Sequence, residues 1–112
     1  MRRILALLLV AVLTLTGACS STTASGPVTI DVTIANGKVT PAATTDNVSL
    51  GATVTINVTS DAADTVHVHG YEIEKEITAG TKTVITFVAD KTGRYEVETH
   101  TVEATIATLN VR

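Results

Sequence analysis

The chain has 112 residues with a formal charge of −3, and 45% of its residues are hydrophobic while only 3% are aromatic. That is enough for one small domain and not for two. Met1 and Cys19 are the single methionine and the single cysteine, which excludes an internal disulfide framework and any multi-cysteine metal cluster.

The chain opens on Met1-Arg2-Arg3, a basic start. Ile4 to Leu15 follows as an almost unbroken apolar run, too short for a permanent bilayer span and suited to an export signal. The run closes in Leu15-Thr16-Gly17-Ala18-Cys19-Ser20, which resembles a bacterial lipobox. Small residues there fit a signal peptidase cleft, and the cysteine sulfur that follows takes the lipid. Thr16 stands where bacterial lipoproteins usually carry leucine, so ordinary secretory cleavage nearby is the alternative. The expected division is residues 1–18 as signal peptide, 19–26 as lipidated Cys19 and flexible tether, and 27–112 as the folded domain. Lipidation also removes the liability of a lone thiol in an oxidising compartment. The expected place is the cell envelope, on the outer face of the cytoplasmic membrane, or the secreted or periplasmic space if Cys19 is not lipidated.

Cleavage before Cys19 leaves 94 residues carrying six basic and eleven acidic side chains, a formal charge of −5. An acidic domain without a Lys/Arg cluster is a poor partner for nucleic acid. The expected partners are the membrane, through the anchor, and a membrane protein. The small polar residues Ser20 to Gly26 suit a flexible tether.

From Val28 the composition points to strands. Thr and Val make up 33 of those 94 residues, and Leu50 and Leu109 are the two leucines. β-Branched side chains are stiff at χ1 and favour pleated backbone. Period-two patterning predicts strands over Val28 to Ile34, Thr53 to Ser60, Thr65 to His69, Tyr71 to Ile77, Lys82 to Ala89, Arg94 to Thr99 and Thr105 to Val111. Turn signals separate them at Asn36-Gly37, Asp46-Asn47, Gly51, Asp61 to Asp64, Ala79-Gly80 and Asp90 to Gly93. Seven to eight short strands at this spacing predict an all-β fold, a two-sheet sandwich with antiparallel or mixed pairing.

His67 and His69 are two apart on a predicted strand. Their side chains leave one face roughly 6 to 7 Å apart, with Val66 and Val68 pointing into the apolar layer. Two such imidazoles can converge on one ion. Equally, they can lie at a solvated rim and bind nothing. The acidic runs Glu72, Glu74, Glu76 and Glu96, Glu98 read as a solvated sheet face, Asp61 and Asp64 as loop caps, and Tyr71 and Tyr95 as half-buried core aromatics.

Two stretches carry a finer likeness: Ser60 to Tyr71, containing His67-Val68-His69-Gly70-Tyr71, and Lys91 to His100 followed by Ala104 to Val111. Together they resemble the cupredoxin family, and in particular small exported bacterial cupredoxin-like domains with an HVHGY element. The resemblance implies a Greek-key sandwich. It places His100 where the family's loop histidine lies, at the same end as His67 and His69, and so implies a copper or zinc site on His67, His69 and His100, with Glu98 or Glu103 as fourth ligand. It also shows a departure. A blue-copper site needs a cysteine thiolate, two histidines and a weak axial methionine. The expected cysteine falls near Glu98 or Thr99 and the methionine near Thr105, so a type 1 electron carrier is not implied.

No nucleophile elbow, phosphate loop or second cysteine is present, and an enzyme is not expected. Two functions stay open. One is a membrane-anchored metal-handling accessory that passes copper or zinc to a membrane partner. The other is a metal-free structural or interaction module on the same scaffold.

Overall fold

The computed structural model describes residues 26–112, and the expected signal peptide, lipobox cysteine and most of the tether lie outside those residues. The described residues form nine strands and no helix. They are β1 (Val28–Ala35), β2 (Lys38–Thr40), β3 (Thr44–Val48), β4 (Thr53–Ser60), β5 (Asp64–Val68), β6 (Ile73–Ile77), β7 (Thr83–Val88), β8 (Gly93–Thr99) and β9 (Thr105–Val111).

Two sheets pack face to face, one ordered β2-β1-β4-β7 and the other β3-β9-β8-β5-β6. Both are mixed: β1 runs parallel to β4 and β3 parallel to β9, while the remaining pairs are antiparallel. The core lies between them. Alternation in β1 turns Ile30, Val32 and Ile34 inward, and the same rule in β4 turns in Val54, Ile56 and Val58. The facing sheet supplies Val66, Val68, Val97, Ala107 and Leu109, all fully buried. Each buried Val, Ile or Leu side chain contributes on the order of 1.5–3 kcal/mol by leaving water, so this layer holds the sandwich closed.

All seven predicted strands form, two with the expected bounds and the other five with ends moved by one or two residues. Two further strands were not expected. β2 is three residues long and pairs with β1 across the Asn36-Gly37 turn, whose φ values of 52° and 73° suit a tight hairpin. β3 is the larger correction, because Asp46-Asn47 sits inside a strand and not in a turn. Parallel pairing along β9 overrides the local preference of those residues. The Asn110 amide donates to the Asn47 side-chain oxygen at 2.9 Å, giving the polar pair a partner on the sheet surface.

At the opposite edge Lys75 of β6 donates its Nζ to the Val84 carbonyl of β7 at 2.6 Å, tying the two sheets at one corner. Tyr71 and Tyr95 are partly buried against the core, as expected. The Tyr71 ring lies 4.9 Å from Phe87 and 4.8 Å from Tyr95, centroid to centroid. Its hydroxyl donates to the Lys91 carbonyl at 3.0 Å and accepts from the Lys91 N–H at 3.2 Å. Burial pushes the Tyr71 phenol above its ordinary pKa, against the opposing pull of the Lys91 hydrogen bond. Replacing Tyr71 by Phe keeps the rings and loses both hydrogen bonds, an expected cost of about 1 kcal/mol in urea unfolding. An unchanged midpoint would show that this anchor contributes nothing.

Candidate metal centre

The hairpin β5–β6 sets up the site. Its ladder pairs Val68 with Ile73, His67 with Glu74 and Thr65 with Glu76. Opposed residues in an antiparallel ladder share a face, and Val66 and Val68 are fully buried, so His67 and Glu74 stand together on the outer face of the five-stranded sheet. On the other flank β8 pairs Val66 with Thr99 and His67 with Glu98. His67 therefore lies between two carboxylate-bearing strands.

His100 arrives from the β8–β9 connection. Thr99 donates its N–H to the Ala104 carbonyl at 2.9 Å and closes the loop, while His100 donates its own N–H to the Thr65 carbonyl at 3.1 Å. Asp64 completes the fixing, its Oδ1 accepting from the backbone N–H groups of Thr65 at 2.7 Å and Thr101 at 2.8 Å. Both loop aspartates act as caps, since Asp61 accepts the Asn36 N–H at 2.8 Å. Burial alone would raise the Asp64 pKa, yet the Thr101 and Thr65 N–H groups hold it below the ordinary 3.8. A depressed carboxyl stabilises the fold above its unfolded-state pKa, and that contribution is lost as pH falls through the folded value. The stability gap between wild type and Asp64→Ala should thus be full at neutral pH and shrink below about pH 4. Acid titrations in which the gap stays constant would contradict this role.

All three imidazoles come together. The rings of His67 and His69 are 4.1 Å apart at 46°, and those of His67 and His100 are 5.6 Å apart at 85°. One nitrogen each of His67 and His100 and one Glu74 carboxylate oxygen lie within 4.8 Å of one another. His100 Nε2 and Glu74 Oε1 are 4.0 Å apart, and Glu72 approaches His67 Nε2 at 3.8 Å. His67 is the most enclosed, with 15% of its side chain exposed, against 49% for His100 and 60% for Glu74.

The rest of the expected ligand set sits differently. His69, just past the end of β5, has its Nε2 2.9 Å from Glu98 Oε2. The hydrogen bond from His69 is the chief reason that the Glu98 carboxyl lies below its ordinary pKa. Glu98 is thus hydrogen-bonded to His69, while it also stands opposite His67 in the ladder. Glu103, in the loop after His100 at φ 49°, shares an open groove with Glu98, Thr99 and His100. Glu74 stands on the solvated sheet face that the sequence predicts for it, with 60% of its side chain exposed, and from there it joins His67 and His100. The signal was present in the hairpin: a turn centred on Gly70-Tyr71 places residue 74 opposite residue 67. The residues meet on the outer face of the five-stranded sheet, opposite the buried Val66 and Val68, as the period-two reading of this strand expects.

Two imidazoles and a carboxylate suit Zn(II) or Cu(II). Ligand bonds of about 2.0–2.1 Å in a tetrahedron separate donors by roughly 3.3 Å. Small side-chain rotations on an exposed face close the remaining gap, so the donor set fits a divalent ion and leaves a position for water.

The family model for the cupredoxin-like domain matches residues 5–109. The chain belongs to this family. Solved structures agree on the fold of the cupredoxin-like domain. A copper binding protein determined in its apo form by NMR aligns at a TM-score of 0.58 and 12% identity, over 75% of this chain and 86% of that one. A chain from a heme-copper terminal oxidase dimer aligns at 0.57 and 20% identity, over 76% of this chain. The multicopper oxidase Fet3p aligns at 0.56 and 17% identity over 75% of it. The cupredoxin-like domain spans 65% of the oxidase chain and 23% of Fet3p. No curated protein sequence matches the chain.

One departure from a blue-copper centre is fixed by composition. With Cys19 and Met1 the only sulfur-bearing residues, residues 20–112 of this cupredoxin-like domain offer neither a thiolate nor a thioether. Thr99 is buried, and its hydroxyl faces the Ala104 backbone at 3.4 Å. Thr105 opens β9 opposite Glu98.

Proposed function

We propose that this protein is a cell-envelope metal-binding lipoprotein, anchored through Cys19, whose cupredoxin-like domain holds Cu(II) or Zn(II) on His67, His100 and Glu74. In this reading it is an accessory that captures or buffers the ion and passes it to a membrane protein, and it is neither an enzyme nor a type 1 electron carrier. The observation that carries the reading is the gathering of three ligand atoms from β5, β6 and the β8–β9 loop within 4.8 Å. Similarity to a fold that copper binding proteins and multicopper oxidases also use supports it. The exposure of the cluster suits exchange of an ion with a partner, because a bound ion would stay within reach of incoming ligands. When bound, the ion would supply a divalent charge and an exchangeable coordination position. His67 anchors it from the enclosed centre, while Glu74 and His100 close from the two flanks.

A second reading is favoured by one observation. Each histidine has a carboxylate oxygen within 4.0 Å, so polar contact with neighbouring carboxylates alone accounts for the arrangement in a metal-free module. Calorimetric titration separates the two. The purified chain should bind Cu(II) or Zn(II) with micromolar or tighter affinity, and a His67→Ala, His100→Ala double variant should not. Equal weak heats from both proteins would sink the metal reading and leave the module.

A further inference from the structure

The sheet ordered β2-β1-β4-β7 ends at β7, so one side of that strand faces no further strand of its sheet. Gly51 donates its N–H to the Ala89 carbonyl at 2.7 Å, and Ala89 donates its own to the Ala52 carbonyl at 2.9 Å. Backbone groups alternate in direction along an antiparallel strand, so residues 83, 85, 87 and 89 turn toward β4 and residues 84, 86 and 88 turn outward. The Val84 carbonyl, which accepts from Lys75 Nζ at 2.6 Å, shows the same direction. An edge with outward N–H and C=O groups is a template for another strand. β7 itself (TVITFV) carries no charge and is rich in β-branched residues, a composition that pairs readily. Its outward Val84 and Val88 are 39% and 52% exposed.

The order of residues indicates what pairs there. Turned antiparallel to a copy of itself about Thr86, the segment sets Thr86 against Thr86, Val84 against Val88 and Lys82 against Asp90. All five of these residues are exposed. Apolar then meets apolar, hydroxyl meets hydroxyl, and an ammonium meets a carboxylate at both ends. Moving the axis to Val84 or to Val88 loses both charge pairs.

We propose that β7 pairs with β7 of a second copy of this chain, antiparallel about a two-fold axis at Thr86, giving a reversible homodimer in which the two four-stranded sheets become one. Thr86 exchanges two backbone hydrogen bonds with its counterpart. The Val84 N–H donates to the Val88 carbonyl of the second copy, and the Val88 N–H donates to its Val84 carbonyl. Lys75 Nζ already donates to the Val84 carbonyl, and the Asp90 N–H to the Val88 carbonyl at 3.0 Å. A carbonyl has two lone pairs, so both acceptors are shared or partly given up. That competition, with the small area of a single strand pairing, keeps the dimer reversible. The histidines lie on the other sheet, so the pairing does not depend on the metal reading.

Sedimentation equilibrium of the full chain over a wide range of concentrations tests this. Wild type should pass from one chain to two as concentration rises. Thr86→Lys sets two like charges against each other on the axis and should stay monomeric over the same range. Lys82→Glu turns a carboxylate toward Asp90 of the second copy and should weaken the dimer several-fold, while Lys82→Glu with Asp90→Lys should restore it. Lys75→Ala frees the Val84 carbonyl and should tighten the dimer. All four positions are exposed, so these changes leave the core intact. A wild type and a Lys75→Ala variant that both remain monomeric overturn the pairing. So does a dimer that Thr86→Lys and Lys82→Glu leave as strong as wild type, because the two copies would then meet through another surface.

Discussion

Replacing Gly70 by Ala should destabilise the domain by about 2–5 kcal/mol, which is a large part of what holds a domain of this size together. Two separate effects add at this position. Gly70 has φ +81°, a backbone conformation that costs an L-residue roughly 1–2 kcal/mol. A Cβ there would also meet Tyr95 Cδ1 at 2.3 Å and Cε1 at 2.4 Å, and overpacking of that kind costs about 1–3 kcal/mol. Tyr95 cannot simply swing away, because its hydroxyl donates to the Thr92 carbonyl at 2.8 Å and its ring packs edge-on to Tyr71. Lys91 Nζ fixes the turn from the other side by donating to the Gly70 carbonyl at 2.9 Å. Thermal unfolding should show a midpoint lower by on the order of 10–30 °C. Gly51→Ala is the control, since Gly51 has φ +87° but open space around its missing Cβ. It should show only the backbone cost of roughly 1–2 kcal/mol. If the two variants lose the same stability, the contact with Tyr95 does not matter.

Replacing His67 by Ala should weaken Cu(II) or Zn(II) binding by at least about 100-fold. Loss of a supporting partner to a metal ligand already costs 10–100-fold, and His67 would be a ligand at the centre of the group. His69→Ala should change that affinity only a few-fold, as His69 is turned to Glu98. Both variants should fold, because the histidines project from the sheet surface and truncation opens no cavity in the core. Binding should also weaken on acidification. An imidazole nitrogen must be unprotonated to hold an ion, so protons and metal compete. Competition titrations against a coloured chelator at several pH values measure both effects. Equal losses in the two variants would move the ion off His67.

The sandwich was legible because its determinants are local. Alternation of Val and Ile with Thr and Asp in β1, and with Thr and Asn in β4, marks both the strand and its buried face. The β3 edge was not legible, since Asp46 and Asn47 read locally as a turn and become strand only when β9 supplies ladder partners. The same division runs through the site. His67 and His69 were found from their spacing. The place of Glu74 beside His67 and His100 and the Glu98–His69 hydrogen bond were not legible, because each depends on which strand lies beside β5 and in what register.

By itself the sequence determined the strand content, the inward and outward faces of β5, the absence of sulfur ligands beyond Cys19, and the three imidazoles available for coordination. Only the tertiary structure decided that these imidazoles meet on the outer face of a sheet, that Glu74 joins His67 and His100, and that Glu98 belongs to His69. Side-chain alternation is a property of one strand, whereas ligand convergence depends on pairing between segments up to 33 residues apart, from His67 to His100.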